Sequence, residues 1–167
     1  GNPMFVLVRS STPGREAKIQ LQLATKTDNA DNAWGGYSLY TYWGSAHWNM
    51  KHEPGDVLGR RVSFQRPFGG VDRNWELPFI QWAERNGYKI DYAINSDLEF
   101  HPEMLKHYKL VLSVGHDEYW SAPMRDNLED SIAQGGNVAF FSGNTCCWQV
   151  RSEDNGNDLV CWKEAFR

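Results

Sequence analysis

An α/β domain with a mainly parallel central sheet and helices on both faces is predicted by three features of the sequence. Residues 110–114 are apolar apart from Ser113, as a strand buried on both faces requires. From residue 74 onward, strand-like runs alternate with segments of helical period, the βαβ rhythm of a covered parallel sheet. The connections between them are short and marked by Gly, Pro, Asn or Ser, residues that stop one element and start the next.

Taken in order, residues 4–8 form a short apolar run that Pro13-Gly14 turns. In residues 17–24, Ile19, Leu21 and Leu23 alternate with Lys18, Gln20 and Gln22, the period of a strand with one wet face. Residues 25–32 are polar throughout and read as loop. Trp34-Gly-Gly-Tyr-Ser-Leu-Tyr40 closes that loop, and Tyr37, Tyr40, Tyr42, Trp43 and Trp48 crowd together. Such crowding is either a satellite apolar cluster or a wall facing a ligand. His47, His52 and Glu53 lack helical i,i+4 spacing and precede Pro54-Gly55, so they read as solvated loop rather than metal ligands. Residues 60–68 form an edge strand, because Pro67 cannot donate to a ladder.

Asn74 is a candidate cap for a helix with Pro78 in its first turn, Leu77, Phe79, Ile80, Trp82 and Ala83 as its apolar face, and Gly87 at its end. Residues 88–94 are a strand, which Asn95, Ser96 and Asp97 break; Pro102 then opens a short helix running to His107. His101 and His107 on it read as solvated. After the strand at 110–114, Ser121 caps a helix with Pro123 in its first turn and Met124, Leu128 and Ile132 at four-residue spacing. Residues 137–142 make a further strand with its tip at 143–148, and residues 159–162 one more.

The bounds agree with this class. A chain of 167 residues forms one domain, 1–167, and buries roughly 70% of its unfolded surface. The net charge of −4 and the lack of a Lys/Arg cluster argue against a nucleic-acid partner. No apolar run reaches the ~18 residues that a membrane span needs. Cys146, Cys147 and Cys161 are sparse and odd in number, a poor disulfide framework; with no secretory apolar region at the start, a cytoplasmic location is expected. Gly-Asn-Pro before Met4 and the abrupt end at Arg167 read as a piece of a longer chain.

Chemistry concentrates after the innermost strand, where Gly115 is followed by His116, Asp117, Glu118, Tyr119 and Trp120. Ligands collect outside the carboxyl ends of parallel strands. His116 is the candidate general acid or base, since imidazole alone titrates near neutrality unaided. Asp117 and Glu118 must point to different sides, so Glu118, two positions on, is the carboxylate that shares a site with His116. Carboxylate and phenolate oxygens suit a hard cation such as iron. The plainer alternative is that His116 and Asp117 serve only the following helix and loop amides. At the second tip, Cys146 and Cys147 lack the Gly-x-Cys-x-Gly elbow of a thiol nucleophile and read as inert.

The segments Val62-Ser-Phe-Gln-Arg-Pro-Phe68, Trp75-Glu-Leu-Pro-Phe79, Gly115-His-Asp-Glu-Tyr-Trp-Ser121, Met124-Arg125, Asn137-Val-Ala-Phe-Phe-Ser-Gly-Asn-Thr145 and Trp148-Gln-Val-Arg151 together resemble the C-terminal domain of the large subunit of N,N-dimethylformamidase. The resemblance covers nearly the whole chain. It implies a glutamine-amidotransferase-like or flavodoxin-like α/β fold, and a mononuclear iron held by two tyrosines and a glutamate that hydrolyses a small organic amide. Carried over, Glu118 corresponds to the carboxylate ligand and His116 to the assisting imidazole. Tyr40 is the expected tyrosine ligand, with Tyr37 second. Tyr37, Tyr119, Trp120, Asn144 and Trp148 are expected to face substrate, and a homo- or hetero-oligomer is expected. Relatives typically carry Ala-Tyr-Asn where this chain has Ala30-Asp31-Asn32. The second tyrosine is expected upstream of Met4 or replaced by Phe5, and a further glutamate beyond Arg167. The competing reading is a non-catalytic α/β binding or assembly module whose aromatic-lined cleft takes a carbohydrate or another subunit.

Overall fold

The computed structural model describes residues 6–35, 38–40, 60–67 and 72–163. Strands β1 (Ile19–Leu23), β3 (Ile90–Ile94), β4 (Leu110–His116) and β6 (Val138–Gly143) form a parallel sheet in the order β3-β1-β4-β6. Helices cover both faces. On one, Phe79 and Ile80 of α2 (Glu76–Arg85) pack on Leu21, Leu23, Leu112 and Val114. On the other, Leu98 of α3 (Asn95–Phe100) and Met124 and Leu128 of α4 (Ala122–Ala133) pack on Val111 and Val138. The alternation of Val111 and Leu112 between these clusters is the period of two that a doubly buried strand needs.

A second sheet, absent from the sequence reading, lies beside the first. It contains β2 (Arg61–Ser63), β8 (Asp158–Cys161), β7 (Trp148–Glu153) and β5 (Tyr119–Ser121) in that order, with β5 parallel to β7 and the other pairs antiparallel. β2 is an edge strand, as Pro67 suggested. At three residues, β5 carries too little alternation to be read as a strand by itself. The chain passes from one sheet to the other directly, between His116 and Tyr119.

Three expectations are corrected. Gln20 and Gln22 are not on a wet face: both are 2% exposed, because β1 is flanked by β3 and β4 and covered on both sides. Residues 25–32 are not loop, since α1 spans Thr25–Asp31 and most of it is buried. Three of its polar side chains find partners inside the protein. Lys26 pairs with Glu99 and donates to Ser152 Oγ at 2.6 Å, Asn29 Oδ1 accepts from Arg66, and Thr27 Oγ1 accepts from Glu118 N at 2.9 Å. Finally, Asn74 does not cap α2. Asp72 Oδ1 takes the amides of Asn74 and Trp75 at 2.8 and 2.7 Å. Ser121 does cap α4, accepting from Met124 N, and helix α3 starts at Asn95, where a break was expected.

Among the described residues, no helix is long and apolar enough to cross a membrane. Cys146 and Cys147 are exposed and Cys161 is buried, all three free. Partial desolvation and the charge of Asp117 push the Cys146 thiol up to about 11, the opposite of what a thiolate nucleophile requires.

Lys26 and Glu99, with side chains 0% and 6% exposed, tie α1 to α3 in a buried ion pair. Lys26→Met strands the Glu99 charge and is expected to cost about 3–5 kcal/mol in urea unfolding, most of it recovered in Lys26→Met/Glu99→Gln. Equal stability of the single and double variants would contradict this. Asp28 and Glu76 carry a second expectation. Burial, and then their mutual repulsion for Asp28, raises them to about 8 and about 7. Folding therefore tightens both protons, and the resulting stability is complete below about pH 4 and declines as pH rises through 7 and 8. Asp28→Asn should flatten that decline by several kcal/mol at high pH, given ~1.4 kcal/mol per pKa unit. An unchanged stability profile between pH 5 and 9, roughly the range these groups span, would contradict the raised proton affinity of Asp28.

Candidate functional site at the tips of β4 and β6

The site is built where β4 ends. Gly115 has φ +94°, and an added Cβ would lie 3.1 Å from Trp75 Cβ, so only glycine fits both the turn and the approach. Asp117 then points inward and is fully buried. Its carboxylate accepts from Asn95 Nδ2 at 3.1 Å and Ser113 Oγ at 3.0 Å, and its amide donates to Ser142 Oγ at 2.8 Å. Burial holds it up at about 6 despite these hydrogen bonds.

With Asp117 turned in, Glu118 is turned to the opposite side, where it is 4% exposed. Its Oε2 lies 3.1 Å from His116 Nε2 and accepts a hydrogen bond from the Tyr40 hydroxyl. Two elements fix Glu118 through its backbone. Its amide donates to Thr27 Oγ1 on α1, and its carbonyl accepts from Trp148 N at 3.0 Å. Cys146 N likewise donates to Asp117 O at 3.2 Å, so the second strand tip is stitched to the first. Tyr40 is brought in by the chain after α1, where Leu39 N donates to Ala30 O at 2.9 Å.

Aromatic rings surround this carboxylate. Tyr119, fully buried, meets Tyr40 edge-on with centroids 5.9 Å apart. The Lys163 ammonium stands 3.4 Å from the Tyr40 ring centroid, 4.9 Å from Tyr119 and 5.0 Å from Trp148, within cation–π range. Burial lowers the Lys163 pKa, and the charges of Glu118, Cys161 and Asp31 oppose that fall. Asp31, at the end of α1, is pushed up to about 6 by burial and by Glu118, while Lys163 and His116 draw it back. Its Oδ1 is buried without a hydrogen-bond partner. Burial and the bond to Glu118 hold the Tyr40 phenol above its ordinary range, and burial does the same to Tyr119.

His116, Glu118, Tyr40, Tyr119 and Trp148 are thus brought together. Trp120 is not, which corrects its expected place in the cleft. One residue beyond Tyr119 on a strand, it faces the opposite way, donating Nε1 to Asp117 O at 2.9 Å and packing with Leu98, Met124 and Leu128. Asn144 is an exposed turn residue with φ 48°, its carbonyl accepting from Cys147 N. Tyr37, like His47, His52 and Glu53, lies outside the described residues. Thr27 and Lys163 were missed by sequence reasoning. Thr27 sits in the segment taken for loop, and Lys163 belongs to no motif.

A model of the family described as "N,N-dimethylformamidase beta subunit-like, C-terminal" matches residues 2–166. The N,N-dimethylformamidase beta subunits of Alcaligenes sp and Paracoccus aminophilus are each 33% identical to the chain over 99 residues, 56% of this chain and 13% of the relative. The chain therefore corresponds to a small part of those proteins. On the near-complete match to the family model, it belongs to the N,N-dimethylformamidase beta subunit-like, C-terminal family.

Proposed function

We propose that this chain carries part of an iron-dependent site that hydrolyses the C–N bond of small linear amides. The observation that supports this most is the convergence of the Tyr40 hydroxyl and the His116 imidazole on one carboxylate oxygen of Glu118. The names of its relatives add the substrate class, a formamide, and a beta subunit's assembly with a further subunit.

The donors suit a hard cation in type. Tyr40 and Glu118 supply a phenol and a carboxylate oxygen, and Asp31 Oδ1 is a further buried oxygen without a hydrogen-bond partner, the oxygen-rich chemistry that iron accepts. Among the described residues, no three His, Cys, Asp or Glu side chains group to hold a metal, so Tyr40 is an essential member of the set. When bound, iron supplies Lewis acidity, polarising the amide carbonyl and making water easier to deprotonate. With His116 Nε2 held by Glu118 Oε2, Nδ1 is the ring nitrogen left to take that proton and return it to the leaving amine. Tyr119 and Trp148 supply apolar wall, and the Lys163 ammonium places positive charge near Glu118, where an oxyanion would develop.

The second reading is a binding module, with the aromatic cluster engaging a partner and the His-Asp-Glu run serving only the loop. The lack of a three-residue His/Cys/Asp/Glu group among the described residues favours it. Metal analysis separates the two. Glu118→Gln and Tyr40→Phe should each lower bound iron from about one per chain to near zero with an unchanged circular dichroism spectrum, and Tyr40→Phe should remove the phenolate-to-iron charge-transfer colour. Iron retained in Glu118→Gln would refute the ligand assignment; a colourless, metal-free wild-type protein would favour the module.

A further inference from the structure

His116 has a single side-chain hydrogen bond among those described, Nε2 to Glu118 Oε2 at 3.1 Å. One such bond fixes a point of a planar ring and leaves the ring free to swing about it. A general base must hold its nitrogen in line with the proton it takes, so something else must set the plane of the imidazole.

Three features around the ring do so. The Trp75 indole lies against it at a centroid distance of 6.1 Å and an interplanar angle of 29°, an offset stack. Gly115 makes this approach possible. Its missing Cβ would stand 3.1 Å from Trp75 Cβ and 3.7 Å from Trp75 Cε3, so a side chain there would drive the indole away. Next to β4, Gly143 is in register with His116, and a Cβ on it would lie 3.4 Å from His116 Nδ1. The imidazole thus lies close to an indole and to a backbone stripped of side chain.

Trp75 is itself anchored. Its amide donates to Asp72 Oδ1 at 2.7 Å, and its carbonyl accepts from Phe79 N in the first turn of α2. The next residue, Glu76, is pinned through both oxygens by the amides of Ala24 and Asp72 at 2.8 and 3.1 Å. This anchoring is spent on a residue that is 52% exposed and so contributes little to the core. These bonds fix the backbone from which the indole projects, and hydrophobic burial does not account for a tryptophan there.

We propose that Trp75 is a positioning residue for His116: its indole, admitted by Gly115, sets the plane of the imidazole so that Nε2 stays on Glu118. The inference rests on His116 acting as the proton carrier of the proposed hydrolase, but the orientation itself can be read without catalysis. Trp75 stays outside the reaction and acts only through His116.

The test uses Trp75→Phe, which keeps an aromatic face, and Trp75→Leu, which does not. With five histidines in the chain, histidine-labelled protein treated with a chelator gives a resolvable set of imidazole C–H resonances, and His116→Gln identifies the one that matters. The expected result is a ring-current shift of the His116 signal, lost in Trp75→Leu and partly kept in Trp75→Phe. With iron restored, formamide turnover should fall about 10- to 100-fold in kcat in Trp75→Leu, with KM little changed, as expected for a misplaced catalytic group. Trp75→Phe should recover most of it. A His116 signal unmoved by Trp75→Leu overturns the proposal, as does an equal kcat loss in both variants. If the unsubstituted protein shows no amide hydrolysis, the hydrolase reading fails by itself, and the ring-current comparison alone decides the role of Trp75.

Discussion

Where the chain leaves the parallel sheet for its neighbour, Asp117 turns inward and accepts hydrogen bonds from Asn95 and Ser113 while fully buried. A charged group in that position is costly unless its lone pairs are satisfied. Once they are, the backbone on either side has little freedom. His116 and Glu118 must then project to the other side, and their side chains meet there. Replacing the inward carboxylate by a group with fewer acceptors would loosen both neighbours at once.

The polar helix α1 completes this arrangement from the opposite side. Thr27 takes the Glu118 amide, Lys26 N donates to Asn95 Oδ1, and Asn95 in turn donates to Asp117. Such a chain of buried hydrogen bonds is strong when complete and expensive when broken. The same low-dielectric surroundings push Asp31 and the phenols of Tyr40 and Tyr119 toward their neutral forms. A cation entering the cluster would reverse that bias, since oxygen ligands bind it deprotonated. The Lys163 ammonium, drawn over the Tyr40 ring, already answers part of the local negative charge.

Much of the scaffold was legible in the sequence. The apolar run at β4, the Ser121 cap and the glycine that ends α2 each have a local cause, and each emerged at or near its expected place. The pairing of His116 with Glu118 rather than Asp117 was also legible, because alternation along an extended chain is a local rule. What was not legible depended on distant partners. Helix α1 looked like loop because its polar side chains are satisfied by residues far away in sequence, such as Glu99 and Ser152. Of the second sheet, β2 and β8 were legible as strands, whereas β5 is only three residues long and the sheet itself depends on pairing between distant segments. Trp120 was expected in the cleft because it follows the innermost strand, although the same alternation sends it to the α4 side. Lys163 and Trp75 enter the site through tertiary packing alone.

The geometry converges on one carboxylate oxygen, which is shared by a phenol from the segment after α1 and an imidazole from β4. The proposal that it seats a metal is most directly tested by diffraction at the iron absorption edge from crystals of the iron-loaded protein. The expected result is a single anomalous peak within about 2.5 Å of both Tyr40 Oη and a Glu118 carboxylate oxygen, the span that metal–oxygen ligation covers, with Asp117 still turned into the core. A peak elsewhere, or a Glu118 carboxylate that leaves the metal to cap the following helix, would contradict it.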